Sequence, residues 1–405
     1  MDARMSRILL TCRDRGAFEQ IIAIAAALEA GGHTVRVVVS ATSPSINQPT
    51  VNLDPTQPAF ELMFDGPWQS LADVPTAVHL RVSQIFDEFN PDVLVVGLAH
   101  RTEVAVDELF LVTASGKIPT IVMQDFWGEL KQVGNCEPDH YLVLDRVAAR
   151  NTATRSQIHV VGSPKHAAYG QLDRLQLRQA FRDKLPFAPE QRIIGYFGQN
   201  LHNEPSYRPL VAEVAEAVAK NDQVDGLIYR PHPRENAQDI SATQDILAQS
   251  GKFFIADPEP RIENWLLAVD VVLSCFSTCG YDMLQMNRLD TQPWASVVYL
   301  DHVSGITANW KRDSGLDELP PVFHGAALAS SQSSLSGIIA QALDPLVRLR
   351  LQKATIAAIP DPWDAPKFAA EIICSIAASR LHPPLSANEG TPTGTIHPVT
   401  MSAKT

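Results

Sequence analysis

The sequence predicts an α/β fold of two Rossmann-like domains facing across a cleft, with a C-terminal helix returning to the first domain. Three observations lead there. Short apolar, strand-like runs alternate with helix-length segments from Arg7 to Leu300. The alternation breaks once, between Gly162 and Pro189, and then begins again. The chain has 405 residues, and roughly 100–200 residues per domain makes that two or three domains.

The first half opens with the strand Arg7 to Thr11, a turn through Arg13 to Gly16, and a helix from Phe18 to Ala30 that Gly31 and Gly32 end. Thr34 to Ser40 is the second strand. Strand, helix and strand in this order begin a parallel sheet with a right-handed crossover. Pro44 to Pro67, rich in Pro, Asn and Thr, reads as a long loop. A helix follows over Val74 to Asn90, then the strand Val93 to Gly97 and a helical segment from Glu103 to Ser115. Pro119 to Met123, Tyr141 to Leu144 and His159 to Val161 complete six or seven strands. They are nearly all apolar, as a sheet buried on both faces requires.

Asp173 to Leu185 is a charged helix, and Pro186 to Pro189 reads as the linker. The second series has strands at Ile193 to Phe197, Asp225 to Tyr229, Phe253 to Ala256, Val271 to Ser274 and Ser296 to Leu300. Helices are expected over Pro209 to Lys220, Ala242 to Ser250 and Arg261 to Ala268, after Ser277, and over Leu335 to Leu343 and Val347 to Ala357. The last helix, Asp361 to Ser379, sets Phe368, Ile372, Ile373 and Ile376 on one face. The domains are therefore 1–185, rejoined by the helix at 361–382, and 190–358. Residues 385–405, rich in Pro, Thr, Ser and Gly, read as a disordered tail.

Composition narrows the function. Hydrophobic residues make up 45% and charged residues 19%, enough apolar content for a substantial core. A net charge of -12 argues against a broad grip on nucleic acid. Anionic ligands must then be held by backbone N–H groups, helix N-termini and a few placed cations. The five cysteines are scattered and odd in number, which is no disulfide framework, and nothing completes a zinc site around Cys275 and Cys279. No signal peptide opens the chain and no run reaches the roughly 18 apolar residues of a spanning helix, so a cytoplasmic protein is expected.

Three segments of the second half carry the chemistry. Gly195 to Asn200 follows a strand, and Gly198 and Gln199 let backbone approach a ligand at the C-terminal edge of a sheet. An ordinary strand-to-helix turn would look the same. Tyr229-Arg230-Pro231-His232-Pro233 also follows a strand; the prolines stiffen it, so Arg230 and His232 would meet a phosphate at a fixed angle. The plainer reading is a stiff loop with an exposed histidine. Ser274 to Asp282 puts Ser277 and Thr278 at a helix start with free N–H groups, and Asp282 about one turn on, within reach of ribose hydroxyls. Simple N-capping accounts for Ser277 alone.

Together, in this order and with about forty residues between the last two, these segments resemble the GT-B glycosyltransferases and their relatives. The bacterial sialyltransferases and polysialyltransferases, the CDP-glycerol glycerophosphotransferases and the UDP-N-acetylglucosamine 2-epimerases are similar. Val161-Gly162-Ser163-Pro164 resembles the element such proteins carry between domains, and the helix after Pro362 and Trp363 their terminal crossing helix. The resemblance implies a donor phosphate held by His232, Ser277 and Thr278, and a ribose held by Asp282, where the family often has Glu. It implies a nucleotide-sugar donor and a small-molecule or glycan acceptor.

The chain contains no Asp-x-Asp, so metal-independent chemistry with no cofactor is expected. A general base is still needed for an acceptor hydroxyl, and it should come from a first-domain loop. Asp14 after the first strand is the first candidate; Glu103, with His100 and Arg101 nearby, is the second, and Asp125 the third. Each could equally be a solvated loop carboxylate or a helix cap. Arg13 and Arg15 could hold an acidic acceptor or pair with Asp14. The expected function is an inverting glycosyltransferase. A sugar-nucleotide epimerase or hydrolase, or an inactive nucleotide-sugar-binding protein, would use the same donor pocket. A dinucleotide oxidoreductase lacks its G-x-G-x-x-G after the first strand, and a serine hydrolase its G-x-S-x-G elbow. No integral membrane segment and no nucleic-acid partner are expected, and a homodimer is left open.

Overall fold

The fold is described from a computed structural model, which describes residues 5–40, 60–63, 66–98, 104–128, 136–151, 155–256, 261–330 and 334–381. The first half runs β1 (Arg7–Cys12), α1 (Arg15–Ala30), β2 (Thr34–Ser40), β3 (Phe60–Met63), α2 (Thr76–Phe89), β4 (Val93–Gly97), α3 (Val106–Ala114), β5 (Thr120–Met123), β6 (His140–Val143), α4 (Arg146–Asn151) and β7 (Gln157–Val160). A 3-10 segment, Pro164–Gln171, and α5 (Arg174–Arg182) lead on. The second half is β8 (Ile193–Phe197), α6 (Tyr207–Ala219), β9 (Gly226–Arg230), α7 (Ala237–Ala248), β10 (Phe253–Phe254), α8 (Ile262–Ala268), β11 (Val271–Ser274), α9 (Thr278–Arg288), β12 (Ser296–Tyr299), α10 (Ser304–Ser314), α11 (Pro320–Phe323), β13 (Leu328–Ala329), α12 (Leu335–Leu343) and α13 (Pro345–Ala358). The last helix is α14 (Ala365–Leu381).

Two parallel sheets result. One has seven strands in the order β3-β2-β1-β4-β5-β6-β7, the other six in the order β10-β9-β8-β11-β12-β13. In each, strand order reverses at one place, between β1 and β4 and between β8 and β11. The loops diverge there and leave a crevice at the C-terminal ends of the strands. The central strands β4, β5, β8 and β11 are buried throughout, because the crossovers lay helices on both faces. Helix α14 returns to pack on α1, with Ala369, Ile373 and Ala377 fully buried.

Several elements differ from the sequence expectation. Helix α1 begins at Arg15, so Arg15 is helical and not in the turn. Strand β3 lies inside the expected loop from Pro44 to Pro67. Beside β2 it is held by Glu61, which accepts from Arg36 at 2.7 Å across the strands. Helix α7 starts at Ala237, where the Asn236 side chain caps the Asp239 N–H. Helices α10 and α11 and strand β13 were not anticipated. Residues 44–59 and 64–65 of that loop, and the expected tail at 385–405, lie outside the described residues.

Helix α5 precedes the expected linker, yet it packs on α8 of the second half. Arg182 and Arg178 reach the Asp270 carboxylate at 2.6 and 2.8 Å, and the same carboxylate accepts the Ile193 N–H at 2.9 Å. Arg182 also donates to the Ala268 and Pro189 carbonyls, both at 2.8 Å. One carboxylate therefore ties α5 to the starts of β8 and β11. Removing it leaves the buried Arg182 charge without its counter-ion, the costly way to break such a pair. Asp270→Ala is expected to lower the unfolding free energy by about 3 kcal/mol in urea denaturation. Arg178→Ala, at the more exposed partner, should cost clearly less; equal losses would contradict this assignment.

Candidate functional site

The crevice of the first sheet is lined by carboxyl groups. Asp14, at the N-cap of α1, makes no capping bond, and its side chain lies 4.0 Å from Arg13. Asp125, in the loop after β5, rests against the start of α1. A Cβ at Gly16 would stand 2.1 Å from its Oδ2, so a larger residue there would push the Asp125 carboxyl aside. Burial, and then the nearby Asp14 charge, raise the Asp125 carboxyl to about 7, with Lys165 opposing. Arg15 is turned to Glu19 at 2.9 Å, one helical turn on. Glu103, with His100 and Arg101, lies outside the described residues.

Two further carboxyls stand close by. Asp107 and Glu108, at the start of α3, are fully buried. Asp107 Oδ1 accepts from Thr11 Oγ1 at 2.5 Å and from the Gly97 N–H at 3.3 Å, and Glu108 Oε2 accepts the Ala105 N–H at 2.8 Å. Their other oxygens have no hydrogen-bond partner. Burial raises Asp107 to about 7; burial, and then the Asp107 charge, raise Glu108 to about 8.

The crevice of the second sheet has the opposite character. Loops after β8, β9 and β11, which are neighbours in the sheet, carry the three sequence segments. Gly198 donates its N–H to the Arg230 carbonyl at 3.0 Å, and a Cβ there would stand 2.8 Å from Glu235 Oε2. Gln199 Oε1 accepts the Phe276 N–H at 2.7 Å, so this side chain braces the β8 loop against the β11 loop. Ser277 is the N-cap of α9, its hydroxyl accepting the Cys279 N–H at 3.2 Å, and Thr278 opens the helix. Capping therefore describes Ser277 as folded, and the hydroxyl keeps its own proton to donate.

His232 is set up as a neutral donor. Its Nδ1 accepts the Arg234 N–H at 3.1 Å, which places the ring proton on Nε2. Burial, and then the charges of Arg234 and Arg230, push it down to about 4. Its backbone is held by Glu235, a buried residue the sequence reading missed. Glu235 accepts from the His232 N–H, from Tyr229 Oη at 2.7 Å and from His202 Nε2 at 2.5 Å. The available signal was a carboxylate three residues after His232, the spacing that closes a turn.

Asp282 is not an open ribose contact. Its side chain is 7% exposed, and Oδ1 already receives His166 Nε2 at 2.6 Å and Lys165 Nζ at 3.0 Å. Burial alone would raise this carboxyl; Lys165 and the His166 bond overcome that and hold it well below the usual range. His166, lowered by burial and by Lys165, is neutral. Its Nε2–H donates to Asp282, so Nδ1 accepts from Ser163 Oγ at 2.7 Å, and Ser163 in turn accepts from Gln20 Nε2 at 2.7 Å. This chain of bonds runs from α1 through the crossover segment to α9. Aromatic contacts reinforce it. Trp127 meets Tyr281 at 4.9 Å and Phe126 meets Trp310 at 5.2 Å, each edge to face. Lys165 and His166 follow Gly162-Ser163-Pro164 directly, and no periodicity marked them.

Among the described residues, no group of three or more His, Cys, Asp and Glu side chains could hold a metal ion. Among them too, no helix is long and apolar enough to cross a membrane.

No protein-family model matches the chain, and no curated protein matches it. Solved structures do. A UDP-GlcNAc 2-epimerase from Neisseria meningitidis, solved bound to UDP-GlcNAc, is 15% identical with a TM-score of 0.59, over 91% of this chain and 100% of that one. MnaA from S. aureus, solved with UDP, is 16% identical with a TM-score of 0.60, over 96% and 100%. A glycosyltransferase from Rickettsia africae is 12% identical with a TM-score of 0.60, over 92% and 98%. At these identities the likeness is one of fold, and the fold is GT-B.

The buried carboxyls make stability depend on pH. Asp107 and Glu108 are held above their ordinary values of 3.8 and 4.5, so the unfolded chain releases these protons at lower pH than the folded one. Their contribution is full below those values and is lost as pH rises through about 7 and about 8. Urea denaturation across this range should show stability falling with pH, and Asp107→Asn should make the fall shallower. An unchanged slope would count against a buried, protonated Asp107.

Proposed function

We propose that the chain is a metal-independent, inverting glycosyltransferase that moves a sugar from a nucleotide-sugar donor to an acceptor hydroxyl. The observation that carries this reading is the opposition of the two crevices. One offers neutral and positive donors: His232 Nε2–H, Arg230, and the start of α9 with Ser277 and Thr278. The other offers carboxyls, with Asp125 near 7.

A donor diphosphate fits the first. A helix start presents unpaired N–H groups to an anion, and a neutral histidine donates a hydrogen bond without needing a charge. Asp125 suits the second role. A base near the working pH can take the acceptor's proton. The acceptor oxygen then bonds to the anomeric carbon as the bond to the phosphate oxygen breaks on the opposite side, and the leaving diphosphate keeps the electron pair. Its charge is stabilised by His232, Arg230 and the helix start, which are in place beforehand. Asp14 acts on this base through its charge. Arg13 remains the candidate for an acidic acceptor, while Arg15 is occupied by Glu19. Asp282 holds α9 in place.

A sugar-nucleotide epimerase is the second reading, supported by the whole-length likeness to solved 2-epimerases. It would use the same donor site with no acceptor.

Thermal unfolding with the UDP, CMP, CDP, GDP and TDP forms tests the donor site. One nucleotide at a hundredfold over its Kd should stabilise the protein by about 2.7 kcal/mol, and His232→Ala should lose the effect. No shift with any of them would end the nucleotide-sugar reading. With a donor in hand, Asp125→Asn should lower kcat by about 10²–10⁴-fold and leave nucleotide affinity in place. A sugar product formed without any acceptor would select the epimerase.

A further inference from the structure

A pocket of about 490 Å³ lies at the C-terminal ends of β11 and β12, beneath α10 and α11. Cys275 and Phe276 line it, and they belong to the loop that continues into Ser277 and Thr278. The pocket and the helix start that faces the proposed phosphates therefore share one loop. A donor or acceptor group just beyond the phosphates would enter here.

Its walls have a definite chemistry. Phe276, Trp310 and Phe323 line the pocket, the Phe276 and Trp310 rings 5.9 Å apart and tilted by 52°. Trp310 is 2% exposed, yet its indole N–H has no hydrogen-bond partner. Buried donors without partners are uncommon, and a ligand oxygen would satisfy this one. The acidic side chains lining the pocket are Asp301, Asp317 and Glu318, and no Lys or Arg lines it. Lys311 answers Asp317, which leaves Asp301 and Glu318 facing the pocket without a basic counterpart in its walls. Burial above all, and more weakly the Glu318 charge, raise the Asp301 carboxyl, with a backbone hydrogen bond and the neighbouring His302 opposing.

We propose that this pocket seats a protonated amine, so that the group beyond the phosphates is an amino sugar or an amine-bearing acceptor. Carboxylates supply the charge, and the aromatic faces add the attraction of a ring for a cation. An anionic group would be repelled. The ligand is thus bipolar, with phosphates at His232 and the start of α9 and an ammonium group at Asp301 and Glu318. The inference rests on the donor-site reading above for where the phosphates lie.

The test is equilibrium binding to the full chain at pH 7. In the donor arm, UDP, UDP-glucose and UDP-glucosamine are titrated in turn. In the acceptor arm, glucosamine and glucose are titrated with and without UDP, read by tryptophan fluorescence. An amine is expected to bind about tenfold tighter than its hydroxyl counterpart in one arm, and the arm identifies its source. Asp301→Asn and Glu318→Gln should each shrink that preference while leaving UDP affinity unchanged. Equal binding of amine and hydroxyl forms in both arms overturns the proposal, as does a preference that survives both substitutions. Failure of UDP and the other nucleotides to bind would strike the donor-site reading alone, because free glucosamine against free glucose still tests the pocket.

Discussion

The contact of Asp282 with Lys165 and His166 is the constraint on which the arrangement of the site depends. A carboxylate this deeply buried is tolerated only with a counter-charge and full hydrogen bonding. Both come from the crossover segment, and that segment is anchored by Gln20 of α1 through Ser163 and through the Lys165 N–H, which Gln20 Oε1 accepts at 3.0 Å. A charge in one half is thus satisfied by residues fastened to the other. Helix α9 cannot shift relative to α1 without exposing an unpaired buried ion.

That tie links the two crevices electrostatically. The Lys165 ammonium stabilises Asp282 and also lowers the Asp125 carboxyl, which burial and Asp14 push upward. The proton affinity of the first crevice is partly set by a residue whose main partner lies in the second half. The aromatic contacts act in the same place. Phe126 and Trp127 follow Asp125 in the chain and dock on Trp310 and Tyr281, so the loop carrying the candidate base is held by the opposite half.

Much of the fold was legible. The strands Thr34–Ser40, Val93–Gly97, Ile193–Phe197 and Val271–Ser274 have the bounds their apolar runs predict. Strands buried on both faces, such as Val93–Gly97 and Ile193–Phe197, are apolar along their length, and that signal is local. Strand β3 carries no such run; it is made a strand by its register with β2 and by Glu61 meeting Arg36. Helix α10 has a mainly polar surface and is held through Ile306, Trp310 and Ser314, three buried residues in eleven. Within the site, the stiff segment around His232 was readable because prolines mark it. Glu235 and His202, which hold that segment, were not, because their meeting spans a turn and a separate loop.

By itself the sequence determined the two parallel sheets, most of their elements in order, and the strand ends at which chemistry collects. Apolar runs, glycines and prolines act within a few residues, and those features follow from them. Which side chains at those ends stay open to a ligand was decided only by the tertiary structure. Gln199 and Asp282 looked as available as His232 along the chain, but partners 77 and 116 residues distant occupy them. A polar group taken out of water must find a partner, and three-dimensional packing, not sequence neighbourhood, supplies it.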